Sequence, residues 1–280
     1  MRLFAVTVLT MVAFAANSVL NRAAVGSGAI DALSFGTIRL WAGAVTLLAL
    51  GLILRGKVVL GGPGRLAGVA GLVLYIYGFS WAYLSLDSGL GALILFGTVQ
   101  ITMFSGSLIA GERPPPLRWL GAALAFGGLA WLLWPGGGVT PSVPHGAAMM
   151  LAGLGWGVYS LAGRKAADPL LATGANFVLA APIGFLLVAL MPTGPQAVAV
   201  GADGVVLAVL SGAVTSGLGY ALWYHVLRQI TGSVAAVAQL TVPVIAMAGG
   251  MVFLGEMLTV EFVLASAVVL GGVALSVLKR

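Results

Sequence analysis

The side chains able to do chemistry in this chain are few, and most of them sit inside long apolar stretches. Asn17, Arg39, Gln100, Asn176 and Gln239 each fall among hydrophobic residues. So do Tyr77, Ser80 and Trp81 in "YIYGFSWAY" (75–83), then Trp156, Ser160 and Tyr220. A buried amide or hydroxyl without a partner is costly, so each must pair across helices, meet water or meet a solute. Aromatic walls carrying a few amides and hydroxyls suit a small molecule with an apolar side chain and a zwitterionic end. Arg39 is the cation inside an apolar run, and it either snorkels to the interface or faces a vestibule, where it favours a carboxylate or holds a structural contact. Covalent and metal chemistry lack their parts. There is no cysteine, and His145 and His225 stand far apart. No Ser-His-Asp spacing, phosphate loop or dinucleotide-binding turn is present, so no catalytic, cofactor or metal residue is assigned.

The elements that position these groups follow from composition. Hydrophobic residues make up 60% of the chain and charged residues 7%, against about 25% charged in a soluble domain. The solvent for such a chain is lipid, and each crossing needs about 20 apolar residues in a helix, which satisfies its own backbone. The net charge of +6 is scattered singly between apolar runs, so it forms no nucleic-acid patch. Membrane lipid and a small-molecule solute are the expected partners, and composition leaves monomer and homodimer equally open. Arg2, an apolar run and "AFAA" (13–16) imitate a signal peptide. The run continues past the would-be cleavage site, so it reads as a retained first helix.

Charges, prolines and glycine clusters divide the chain into ten expected spans, near 3–20, 32–54, 65–86, 89–111, 117–134, 144–163, 169–190, 203–226, 230–254 and 260–278. With a cytoplasmic N-terminus, eleven Lys and Arg fall on the inner side, Arg22 alone falls on the outer side, and Arg39 lies within the second span. That bias places both termini in the cytoplasm. The Pro/Gly-rich "PGGGVTPSVP" (135–144) separates residues 1–136 from 137–280, five spans from five. Gly111, Glu112, Gly127 and Gly128 recur 144 positions later as Gly255, Glu256, Gly271 and Gly272. Five is odd, so the second copy enters from the opposite face, giving an all-α integral membrane protein of two inverted five-helix repeats with a solute site between them. Gly-Glu reads as a tight hairpin just before the next helix N-terminus, where a carboxylate meets a favourable dipole; a gating salt bridge is the other reading. The small-residue stripes of spans five and ten suit close packing, with a contact between protomers in view.

The Gly-Glu turn, the Gly-Gly helix after it and the duplicated halves resemble the drug/metabolite transporter superfamily, specifically its EamA-type members. "SFGTIRLWAGAVTLLAL" (34–50) is similar to the family's second helix, and "LTVPVIAMAGGMVFLGE" (240–256) to its ninth, including Pro243. Val99 and Gln100 stand where the first half often carries a comparable proline. The resemblance implies a secondary transporter in the bacterial inner membrane, working by alternating access, and within the family the amino-acid exporter branch, aromatic or neutral.

Two other readings lack their residues. A transporter of phosphorylated or nucleotide-linked solutes wants several inward-facing cations, and a polytopic membrane enzyme wants paired carboxylates or histidines at one face. Every Asp and Glu falls at or near a span end, so no acid at mid-depth relays a proton, and facilitated diffusion is expected over proton antiport. Reporter fusions at Gly138 and Arg280 should lie on opposite sides of the membrane. The same side for both would defeat the five-plus-five topology.

Overall fold

The computed structural model describes residues 2–109, 116–132, 142–163, 166–190, 200–230, 235 and 238–277. Among them every regular element is a helix, as a chain dissolved in hydrocarbon requires. In chain order these are α1 (Arg2–Gly26), α2 (Ala32–Arg55), α3 (Arg65–Ala82), α4 (Ser88–Ile109) and α5 (Pro116–Leu132). They continue with α6 (Val143–Gly163), α7 (Pro169–Leu190), α8 (Ala202–Leu227), α9 (Thr241–Leu254) and α10 (Val260–Val277). Seven of them, α1–α4 and α6–α8, are long and apolar enough to cross a membrane, while α5, α9 and α10 hold shorter apolar stretches.

Helix ends follow local chemistry. Asp31 caps α2 by accepting from the Leu33 and Ser34 amides at 3.0 and 2.8 Å, and Gly56 closes that helix in the left-handed region at φ 63°. Arg55 donates to Asp168 at 2.7 Å, tying the end of α2 to the start of α7. Burial pushes the Asp168 carboxyl up, but hydrogen bonds from Arg55 and from the Leu170 and Leu171 amides outweigh it and hold it low. The first helix runs past the expected end at 20 as far as Gly26, because Arg22 need not leave the helix to be satisfied. Its guanidinium donates to the Tyr83 and Leu84 carbonyls at 3.0 and 3.2 Å.

Within α8, Ser211–Leu218 is wound as a π-helix. Such turns are rare and cluster at functional sites. The sequence gives this one no mark beyond a run of small and hydroxylated residues, "SGAVTSGL".

The helices pack as α3 on α6, α2 on α7, α5 on α10, α4 on α6 and α9, and α1 on α8 and α9. Glycine sets the closest crossings. A Cβ on Gly71 would lie 2.7 Å from the Gly155 carbonyl oxygen, so α3 and α6 meet backbone to backbone. A Cβ on Gly272 would lie 2.7 Å from the Gly121 carbonyl oxygen, and one on Gly128 would lie 2.8 Å from Val269. Gly128 and Gly272 of these stripes thus pack α5 against α10 within one chain, while a Cβ on Gly127 or Gly271 would meet nothing within 4 Å.

Glu256 does not serve the helix that follows it. Gly255 turns the chain at φ 68°, and the Glu256 carboxylate caps α4 instead, accepting from the Ser88 amide at 2.9 and 3.0 Å and from its hydroxyl at 2.9 Å. Arg22 stands 3.9 Å from the same carboxylate and 3.6 Å from Asp87. Glu112 lies outside the described residues. Replacing Glu256 with Ala should orphan the Ser88 amide and lower stability by about 1–3 kcal/mol, with Glu256→Gln intermediate. Burial raises the Glu256 carboxyl despite its Ser88 hydrogen bonds. A raised folded-state value means that its contribution is complete below the unfolded value and fades as pH rises through the folded one. Thermal melts in detergent should therefore show a shallower fall of stability with pH above about 4.5 in Glu256→Gln than in the parent.

Candidate functional site

One side chain organises the interior. Arg39, on α2, is completely buried. Its Nε donates to Ser216 Oγ at 2.8 Å, and its Nη2 donates to the Tyr75 and Tyr220 hydroxyls at 3.0 and 2.7 Å. Tyr220 in turn donates to Tyr75 at 3.0 Å. The guanidinium carbon lies 5.2 Å from the Tyr75 ring centroid and 5.1 Å from that of Phe79, within cation–π range. Nη1 has no hydrogen-bond partner. Among the described residues no carboxylate pairs with Arg39; the ion pairs are Arg22 with Asp87 and Glu256, and Arg55 with Asp168. The snorkelling alternative raised by the sequence does not describe this arginine.

The π-helical turn of α8 explains the geometry. It carries Ser216 to Arg39, and it also turns Ser211, Thr215 and Ser216 toward Asn17 on α1. All three hydroxyls donate to Asn17 Oδ1, from Ser211 at 2.8 Å and from Ser216 at 3.2 Å. The other end of this amide, Nδ2, is buried without a partner.

An aromatic wall stands against the cluster. Trp156, on α6, is in ring contact with Tyr220 at 4.7 Å, Tyr75 at 5.0 Å and Phe14 at 5.3 Å. Tyr159 stacks on Trp156 at 5.3 Å and on Tyr224 at 5.3 Å. The indole Nε1 atoms of Trp156 and Trp223 are buried without partners. A buried cation, several unpartnered donors and aromatic ring faces thus lie together among the described residues.

Of the residues singled out from sequence, Asn17, Arg39, Trp156 and Tyr220 come together here. The third-span trio does not. Tyr77 is half-buried and shares a hydrogen bond with Thr37 Oγ1 at 3.1 Å. Ser80 is buried and accepts from Asn21 Nδ2 at 3.0 Å. Trp81 is 43% exposed and stacks on His145 at 4.6 Å. With aromatics on both faces of α3, periodicity could not tell which face is inward; it is the Tyr75 and Phe79 face. Ser160 is buried with its hydroxyl unpartnered, and Gln100 is half-buried with Nε2 unpartnered. Gln239 reaches back to the Ala235 carbonyl at 3.4 Å and keeps Oε1 unpartnered. Phe14, Tyr159 and Ser216 were not singled out. A hydroxyl one turn from an aromatic, as in "TSGLGY" (215–220), was the available signal.

Known proteins place this arrangement in a family. The model of the EamA-like transporter family matches residues 146–278. The uncharacterized protein PA1977 of Pseudomonas aeruginosa is 44% identical over 279 residues, spanning all of this chain and 96% of its own length. A protein of known crystal structure superposes on 97% of this chain and 95% of its own with a TM-score of 0.68 at 20% identity, a likeness of fold. With apolar helical crossings among the described residues, the family match over residues 146–278 and full-length kinship to PA1977, the chain is a multi-pass membrane transporter that belongs to the EamA-like transporter family.

Proposed function

We propose that this transporter exports small amphipathic metabolites bearing a carboxylate and an apolar side chain, the class to which aromatic and other neutral amino acids belong, across the bacterial inner membrane by alternating access. The observation that carries the reading is Arg39, a fully buried guanidinium whose partners are neutral hydroxyls and ring faces. Burying a charge away from water costs several kcal/mol, and a substrate carboxylate offsets that cost when bound. The aromatic wall would then cover the solute's apolar part. A phosphorylated or nucleotide-linked cargo would want more cations than this cluster holds.

The packing supports two inverted five-helix halves, 1–136 and 137–280. Exchanging each helix for the one five places on turns α3 on α6 into α8 on α1, and α4 on α6 into α9 on α1. The pairs α2 with α7, α4 with α9 and α5 with α10 return to themselves. Arg39 and Tyr75 come from the first half, Trp156, Ser216 and Tyr220 from the second, so a site there would feel any rocking between the halves. Charge supports the orientation. Arg55, Arg65 and Arg228 gather at one end, where they bond Asp168, Ala172, Asn176 and Ala167, and Arg22 lies at the other, beside Tyr83 and Asp87. The Arg-rich end is the cytoplasmic one on this reading.

A cleft of about 270 Å³ opens at that end, lined among others by Lys57, Arg65, Asn176 and Tyr224. Tyr224 donates to the Tyr159 carbonyl at 3.1 Å and stacks on its ring. The Tyr159–Tyr224 pair thus stands between the cleft and Trp156, where an inner gate belongs.

Replacing Arg39 with Gln should cut transport of carboxylate solutes by at least about 100-fold, matching the ~3–5 kcal/mol lost when a buried ion pair is broken. The melting temperature should stay level or rise, because the buried charge is removed. Flux in proteoliposomes beside a melting curve checks both. An Arg39→Gln protein that melts early and loses all solutes equally would make Arg39 a structural contact. Trp156→Ala should change the preference between a large aromatic and a small polar amino acid in the same assay; uniform loss with a lowered melting temperature would remove it from the site.

A further inference from the structure

We infer that the Arg39 site selects net anions: a carboxylate on an apolar body, without an ammonium group, is carried in preference to the zwitterion of the same shape. The inference rests on the reading that Arg39 receives the carboxylate, and it narrows the solute class. The charge balance of the interior carries it. Arg39 is buried among Ser216, Tyr75, Tyr220 and the Phe79 ring, all neutral. The described acids stand at helix ends. Asp31 caps α2, Asp168 pairs with Arg55, and Asp87 and Glu256 meet Arg22. Asp203 and Glu261 lie in the first turns of α8 and α10. Glu112 lies beyond Ile109, the last residue of α4, outside the described residues.

A bound monoanion therefore makes the cluster electrically neutral. A zwitterion leaves it with a net positive charge and brings an ammonium close to a guanidinium, where repulsion in a medium of low dielectric is strong. The ring faces of Tyr75 and Phe79, which would otherwise attract that ammonium, already face Arg39. The unpartnered buried atoms point the same way. At the cluster Arg39 Nη1, Asn17 Nδ2 and the indole Nε1 atoms of Trp156 and Trp223 are donors, and the unpartnered hydroxyl of Tyr159 can donate or accept. Donors in excess suit an oxygen-rich anion such as a 2-hydroxy or 2-oxo acid.

Transport of a monoanion with no coupled ion also moves charge. An inside-negative membrane then drives the solute outward, which would make export the favoured direction without a proton relay.

Phenyllactate and phenylalanine form a matched pair, since a hydroxyl replaces the ammonium and little else changes. In proteoliposomes of the full chain, phenyllactate should exchange at least about ten-fold faster than phenylalanine at equal concentration. A potassium gradient of about fifty-fold with valinomycin, set to make the interior positive, should drive phenyllactate uptake toward a similar ratio and leave phenylalanine unmoved. Phenylalanine carried as well or better, with its transport still lost in Arg39→Gln, would overturn this inference and leave the Arg39 reading standing. Both solutes carried equally in parent and Arg39→Gln would overturn both, as would transport of neither by the parent. The ratio measured on the parent protein decides the inference even if Arg39→Gln folds poorly.

Discussion

A guanidinium withdrawn from water must be answered by something, and in this fold neutral hydroxyls and ring faces answer it. Three hydrogen bonds fix Arg39, drawn from α3 and α8. Much of the surrounding architecture follows from supplying them. The π-helical turn aims Ser216 at Nε, the Tyr75–Tyr220 bond holds two phenols on one nitrogen, and the Gly71–Gly155 crossing lets α3 and α6 approach closely enough for Trp156 to lie against Tyr75. Hydroxyls stabilise the cation only in part, because they bring dipoles and no charge. The remaining deficit is what makes this cluster a receptor on the proposed reading rather than a finished core.

The same reasoning separates the two ends of the molecule. At one end Glu256, from the turn after α9, caps α4, and Arg22 reaches the same carboxylate. At the other, Tyr224 and Tyr159 lie beneath a cleft bordered by Arg65. One end is held by a carboxylate on a helix N-terminus, and the other by stacked rings. If the halves are inverted copies and rock about the centre, these contacts are what must break in turn. Among the described residues no hydrogen bond or ion pair joins Glu256 to Arg39, so its titration acts first on its contacts with Ser88 and Arg22.

Much of this was legible in the sequence, because hydrophobicity and charge placement are one-dimensional signals. Composition alone required a membrane and helices, and Arg39, Asn17, Trp156 and Tyr220 stand out as polar or amphipathic groups in apolar runs. Which face of α3 turns inward was not legible, since Tyr77, Ser80 and Trp81 make as good a stripe as Tyr75 and Phe79, and only contact with α6 and α8 chooses between them. The π-helix was illegible for a related reason: its wider turn is stabilised by tertiary partners such as Asn17, and local propensity carries no trace of them. Glu256 was rightly read as a helix N-terminal carboxylate but assigned to the wrong helix, because a cap supplied across 168 positions leaves no local pattern.

The central claim is a contact between one buried guanidinium and a transported carboxylate. Solid-state NMR dipolar recoupling in lipid, with arginine labelled at its guanidinium and a solute labelled at its carboxyl carbon, measures that contact directly. The account predicts a separation of about 4 Å, that of a guanidinium–carboxylate pair, and its disappearance in Arg39→Lys while the other arginine signals persist. A solute bound and transported with its carboxyl carbon nowhere near Arg39 would contradict the account.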